Sequence, residues 1–175
     1  MLFRSRDGSR GASAIWRYDL KARKATALTG PGYLQPAWSP DVQFIAATRS
    51  DNFGTDIVIL DGGTGTELLR VTDDGRSFAP TWSPAGNALA FLRVDGAVVD
   101  LWQVVVQRIG ATWAPGEELG LTQAAGLDAA SRPSWFIPGA QPPVPVTTPA
   151  PTPAVTAPRA TATARPATPS PKGTR

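Results

Sequence analysis

The segment Pro36-Ala37-Trp38-Ser39-Pro40 returns 44 positions later as Pro80-Thr81-Trp82-Ser83-Pro84. A recurrence at that spacing restricts the chain to repeat architectures, in which one supersecondary unit is stacked several times over. A degraded third copy, Pro133-Ser134-Trp135-Phe136-Ile137-Pro138, follows 53 positions after the second. A pair made of a hydrophobic residue and Thr precedes each copy: Leu28-Thr29, Val71-Thr72 and Leu121-Thr122. After each full copy comes an apolar run ending in Arg, Phe44 to Arg49 and Leu89 to Arg93, and the Trp-to-Arg offset is 11 in both. A second run follows, Thr55 to Asp61 and then Val99 to Val104.

Each module therefore reads as four short strands. The first carries the Trp, the second is the Ile/Ala/Phe run, the third is rich in β-branched residues, and the fourth ends at the Thr pair. Turn residues stand between them: Ala85-Gly86-Asn87 between strands one and two, Asp61-Gly62-Gly63-Thr64-Gly65 between three and four. No segment sustains a 3.6-residue apolar period. The fold class that follows is all-β: a β-propeller-type repeat of four-stranded antiparallel blades.

The series Pro-x-Trp-Ser-Pro, an Ile/Ala/Phe strand, Asp-Ile-x-Val and Leu-Thr resembles the blade repeat of TolB-type β-propellers, which are WD-repeat-like in shape. The resemblance covers residues 2–138 and departs in one turn. The usual Asp-Gly after Ser-Pro is Asp41-Val42 in the first copy and Ala85-Gly86 in the second. A turn that prefers Gly is thereby altered in the first copy, which predicts a looser turn or one of another type there. The second module also carries an insertion, Gln107 to Glu118.

The count of blades does not close. Arg4 aligns with Arg49 and Arg93, so Leu2-Phe3-Arg4-Ser5 reads as a second strand, Ala14 to Asp19 as a third and Lys24 to Leu28 as a fourth. The expected organisation is a part-blade at 1–35, blades at 36–79 and 80–132, the first strand of a further blade at 133–141, and a tail at 142–175. That amounts to about three blades, whereas a propeller closes with about four to eight. Two readings stay open: missing N-terminal blades of a longer propeller, or a homodimer that completes a six-bladed ring.

Charge divides where the repeat ends. Residues 1–141 hold 13 Lys and Arg against 14 Asp and Glu, while the tail holds Arg159, Arg165, Lys172 and Arg175 and no acid. The basic pI thus belongs to the tail, and no nucleic-acid partner is expected of the folded part. Ten Pro, eight Thr and seven Ala occupy the tail's 34 positions, a composition that favours a disordered, semi-extended spacer over a packed core. The start, Met1 to Arg6, turns polar after three residues, so no signal peptide is read there, and no run reaches the length of a membrane span.

The chain has no His and no Cys, which removes Ser-His-Asp and thiol catalysis, disulfides and the usual zinc sites. No catalytic residue, cofactor or metal is expected. Ser39 and Ser83 lack a base, and Gly62-Gly63-Thr64-Gly65-Thr66 lacks the Lys and following helix of a phosphate loop. Asp51, Asn52 and Asp56, or Asp73 and Asp74, lack the spacing of a calcium loop. Trp38, Trp82 and Trp135 recur at one blade position and are expected to pack blade on blade. Arg4, Arg49 and Arg93 read as charges near blade edges. Trp113, inside the insertion and outside the repeat, is the one binding candidate.

What the resemblance implies is a non-catalytic binding or scaffold module with a protein partner at the bacterial envelope, hence an extracytoplasmic location. Two alternatives follow from the same likeness: the gating propeller of a prolyl-oligopeptidase-like hydrolase whose catalytic domain is absent from this chain, or a carbohydrate-binding propeller resting on Trp113.

Overall fold

The computed structural model describes residues 2–6, 13–110 and 112–136; the expected tail and residues 137–141 lie outside the described residues. Three antiparallel sheets make up the fold, each a meander whose hydrogen-bonded neighbours are consecutive in the chain. The first holds β1 (Leu2–Arg6), β2 (Ser13–Asp19) and β3 (Lys24–Ala27). The second holds β4 (Tyr33–Trp38), β5 (Phe44–Asp51), β6 (Gly54–Asp61) and β7 (Glu67–Arg70). The third holds β8 (Ser77–Trp82), β9 (Ala88–Asp95), β10 (Val98–Ile109) and β11 (Thr112–Gly120).

The middle sheet explains why its strands read as continuous apolar runs and do not alternate. Phe44, Ala46, Ile57 and Ile59 project into one core with Trp82, Leu89, Phe91, Val104, Val106 and Trp113 of the third sheet. Their neighbours Ile45, Ala47, Val58 and Leu60 project the other way, onto Ile15 of the first sheet. Both faces are buried, so both strand parities are apolar. Each such Ile, Leu or Phe contributes about 1.5–3 kcal/mol on full burial.

The repeat also recurs in backbone detail. The first strands carry a bulge before Pro36 and Pro80: the register shifts between Leu34 and Ala37 and between Phe78 and Thr81. Gln35 and Ala79, the residues at the bulge, have φ of 51° and 53°. Proline has no N–H for the ladder, so the break falls where a hydrogen bond is already missing. Gln35 Oε1 accepts from the fully buried Thr48 hydroxyl (2.8 Å) and from the Ala79 N–H (3.0 Å), which ties one bulge to the next.

The Ser of each Trp-Ser-Pro closes the turn between strands one and two. Ser39 donates its N–H to Phe44 O and accepts the Phe44 N–H at its hydroxyl, and Ser83 does both with Ala88. The Thr pair lies just past the fourth strand. Thr29, Thr72 and Thr122 each offer a hydroxyl to the N–H of Ile15, Ile57 and Leu101, and each donates its own N–H back to that residue's carbonyl.

Two expectations are corrected, and the insertion gains a place. The Asp41-Val42 turn is neither looser nor of another type. Val42 and Gly86 donate alike to Ser39 O and Ser83 O at 2.9 Å, and Val42 is held at φ 60° beside Gly86 at 73°. The Ser39 scaffold fixes the turn, and Val42 bears a left-handed conformation that β-branched residues avoid. The insertion Gln107 to Glu118, to which the sequence assigns no role, lengthens β10 and β11 into one hairpin turning at Gly110 (φ 65°). Residues 131–136 form no strand. A first strand is held by the second strand of its own blade, and none lies beside this segment among the described residues.

Candidate functional site

Most polar groups that invite a functional reading are used in joining strands and blades. Asp56 is 2% exposed and accepts from Arg70, the Thr72 hydroxyl and the N–H groups of Asp74 and Gly75. Burial works against its charge, but Arg70, Gly75 and Thr72 outweigh it and hold the carboxyl below its ordinary value. Asp100 repeats the arrangement: the Ala125 N–H first, then the Thr122 hydroxyl and the Ala124 N–H, lower its carboxyl as well. The first sheet has Ala14 at this position. The reason lies in its link: Pro31 has no N–H, and the Gly32 N–H already goes to Ser13 O at 2.8 Å. These Asp residues cap the links between blades, and no cluster of three metal-ligating side chains occurs among the described residues.

Arg93 is corrected from an edge charge to a tie, while the side chain of Arg4 lies outside the described residues. Arg93 is 8% exposed, bonds Ser77, pairs with Asp74 at 2.6 Å and Glu118 at 2.5 Å, and lies 4.3 Å from the centre of the Trp102 ring. Arg49 pairs with Glu67, which also accepts from the Tyr33 hydroxyl. Burial, then Glu67, raises the Tyr33 phenol above its ordinary value. Asp61 accepts from the N–H groups of Gly63 and Thr64 and from the Thr64 hydroxyl, so the Gly-rich stretch is a tight turn between β6 and β7.

The tryptophans separate. Trp82 is buried and donates Nε1 to Ala37 O at 3.2 Å across the blade junction. Trp113, the binding candidate, is only 8% exposed and belongs to the core between the second and third sheets. Its ring meets Phe44 edge-on at 5.0 Å and Trp82 at 5.9 Å. What solvent reaches it is a recess of about 130 Å³ lined by Pro40, Asp41, Ala85 and Gly86 among others. The signal that places it inside was present: a hairpin turning at Gly110 sets Trp113 opposite Arg108, on the same side as Val104 and Val106.

Trp38 stays half-buried, and an open groove forms around it. On one side a recess of about 490 Å³ runs along β2 and β3, past Arg17, Tyr18, Lys21 and Lys24. On the other side a recess of about 450 Å³ reaches Val42, Asp61, Gly63 and Arg108. Arg17 and Trp38 line both. The Arg17 guanidinium reaches the carbonyls of Gly62 and Gly63 at 3.5 Å, and that of Arg108 sits 5.1 Å above the Phe44 ring. Glycine at 62 is what admits the indole, since a Cβ there would lie 2.5 Å from Trp38 Cζ3. Arg17 thus lines both recesses that flank Trp38, with Lys21 and Lys24 in the first and Arg108 in the second. Asp19 and Asp61 in the same groove are occupied by turn N–H groups. The cations come from the first and third sheets and the ring from the second, so no spacing in the sequence announces the groove.

No family model matches the chain, and no curated protein matches it. Solved structures do. TolB from Acinetobacter baumannii superposes with a TM-score of 0.52 at 23% identity, over 60% of this chain and 27% of that one. A structure assigned to TolB from Agrobacterium tumefaciens gives 0.52 at 21% identity, over 68% and 46%. The β-propeller domain of the Trilobed protease from Pyrococcus furiosus gives 0.41 at 13%, over 70% and 53%. The chain spans less than half the length of the TolB structures it matches. At these identities the likeness shows the fold alone, and with the repeated turns, bulges and links it establishes that the described residues form β-propeller blades similar to those of the TolB structures.

Proposed function

We propose that the blades are a non-catalytic binding module for a protein partner outside the cytoplasm, held at the groove formed by Arg17, Trp38 and Arg108. The observation that carries this reading is the presence of four cations in the two recesses that flank a half-buried Trp, in a unit with one more acid than base. The repeated Asp, Ser and Thr groups serve the scaffold, whereas the cations of the groove do not repeat and only its Trp38 belongs to the repeat. Its chemistry suits a segment that brings carboxylates to the cations and a flat apolar side chain to the indole. The location follows by analogy with TolB-type propellers. Among the described residues no helix is long and apolar enough to cross a membrane.

The test places a photo-activated cross-linker at Lys21 or Lys24 of the full chain, in the envelope fraction of its native host. One protein captured at both positions, lost with Arg17→Glu/Arg108→Glu and not captured from a cross-linker at the exposed Leu119, supports the groove. Equal capture from Leu119, or no saturable adduct at all, overturns it.

A further inference from the structure

The second and third sheets repeat one another position by position, so a difference between them at one place stands out. In the second sheet Arg70 of β7 stands opposite Val58 and binds the carboxylate of the buried Asp56. Asp56 above all, then Asp73 and Asp51, raise the pKa of its guanidinium. A separate ion pair, Arg49 with Glu67, joins β5 to β7.

In the third sheet the matching positions hold Asp100 and, opposite Trp102, Gly120. Asp100 caps its link as Asp56 does: it is buried and accepts from Thr122, Ala124 and Ala125. Asp95 keeps the place of Asp51, and Gln123 takes that of Asp73. The separate ion pair is kept too, since Arg93 binds Glu118 as Arg49 binds Glu67. Only the cation for Asp100 is missing. Among the described residues Asp100 makes no ion pair, and Asp95 pairs only with the half-exposed Arg76. Arg93, opposite Asp100 in the ladder and 4.3 Å from the centre of the Trp102 ring, is held by Asp74 and Glu118.

Glycine leaves room where the arginine would stand. A recess of about 520 Å³ opens there, walled by Asp95, Asp100, Trp102, Gly120 and Gln123 among others. A buried carboxylate offsets its desolvation best when it is both hydrogen-bonded and paired. Asp100 has the hydrogen bonds without the pair. Its Oδ2 accepts one N–H, that of Ala124, whereas Oδ2 of Asp56 is given to Arg70. A carboxylate oxygen has two acceptor sites, so Asp100 Oδ2 keeps one for a second donor.

We propose that this recess receives the guanidinium of an arginine from a polypeptide partner, in the place that Arg70 fills in the second blade. The site is more than a group of acids, because the same carboxylate on the same scaffold holds a guanidinium one blade earlier. Arginine suits it better than lysine. Its flat fork serves two carboxylates, Asp100 and Asp95, and its apolar stem finds the indole of Trp102 as a wall. The inference does not rest on the groove beside Trp38, which takes the opposite charge. β10 (Val98–Ile109) carries Asp100 near its start and Arg108 of the groove near its end, so the two sites lie at opposite ends of that strand.

N-acetyl-arginine amide is the probe, titrated into the full chain while the indole N–H signals are followed by magnetic resonance. The Trp102 signal, identified by its loss in Trp102→Phe, is expected to shift saturably with a Kd of about 1–10 mM. N-acetyl-citrulline amide, which keeps the shape and lacks the charge, is expected to bind about tenfold more weakly. Gly120→Arg supplies the cation from within the chain, and a Cβ there lies 3.5 Å from Trp102 Cη2, an ordinary contact. That variant is expected to lose the saturable shift while its far-ultraviolet dichroism stays that of the parent. Asp95→Asn, at an exposed position, is expected to weaken binding about threefold. Equal binding of the two probes, or parent-like affinity in Gly120→Arg, overturns the inference. So does the lack of any saturable shift up to about 50 mM probe.

Discussion

The two blade junctions start from the same repeat and end differently. Between the second and third sheets, Trp82 is 6% exposed, is covered by Phe44 and Trp113, and is hydrogen-bonded to the neighbouring blade. Between the first and second sheets, Trp38 has the same sequence around it, yet it is half-buried and flanked by open recesses. The motif supplies the indole, but residues outside the motif decide whether it is sealed. Trp113 comes from an insertion that the first and second sheets lack. One junction has become core, and the other keeps recesses open to solvent beside its Trp.

Truncating the two rings is the largest test of this difference. Trp82→Ala opens a cavity beside Phe44, Phe91 and Trp113 and is expected to cost about 3–5 kcal/mol in a denaturant melt. Trp38→Ala removes a ring already half in water, and about 1–2 kcal/mol is expected. Equal losses would mean that the first junction is as well packed as the second and that the recesses do not matter to it.

The links come next in size. Asp56→Ala leaves the N–H groups of Asp74 and Gly75 without their acceptor and Arg70 with only the exposed Asp73, at an expected cost of about 2–4 kcal/mol. Ala14→Asp in the first sheet is expected to gain nothing, because Pro31 offers no N–H to receive it. A clear gain in the melting temperature of that variant would show that the proline is not the reason the first link lacks the acid.

Acid should separate the junctions further. The carboxyls of Asp56 and Asp100 are held below their ordinary values in the folded chain. Protons therefore bind the unfolded chain first, near its ordinary value of about 3.9, and stability present above that pH is lost as pH falls through the lower folded values. The capped links of the second and third sheets are expected to loosen below about pH 4, and that of the first sheet, with no acid, to respond less. Hydrogen exchange at Ile57 and Leu101 against Ile15 reads this out. If all three respond alike, the caps are not what acid breaks.

How far the sequence discloses this molecule depends on what repeats. Strand order and the structural use of Ser39 and Ser83 follow from recurrence alone, because a residue returning at one blade position does one job. What escapes is whatever occurs once. Trp113 reads as a loop residue until Gly110 is taken as the turn of a hairpin. Arg93 reads as an edge charge because its partners Asp74, in the link between β7 and β8, and Glu118, in β11, lie at separations no motif records. The groove is least visible of all, since Arg17, Trp38 and Arg108 meet only after three sheets have packed.

Val42 gives the smallest and most local test. It occupies the place of Gly86 and keeps the same hydrogen bond, at φ 60°. A left-handed β-branched residue costs about 1–2 kcal/mol, while glycine gives back part of that gain through the entropy of the unfolded chain. Val42→Gly is thus expected to stabilise by at most about 1 kcal/mol, and Gly86→Val in the matching turn to destabilise by about as much. The side chain of Val42 is 63% exposed, so little buried area is lost in the exchange. It also lines the recess beside Trp38. A destabilised Val42→Gly variant would therefore show that the isopropyl group is held against something at the first junction, and that this junction is less open than its recesses make it.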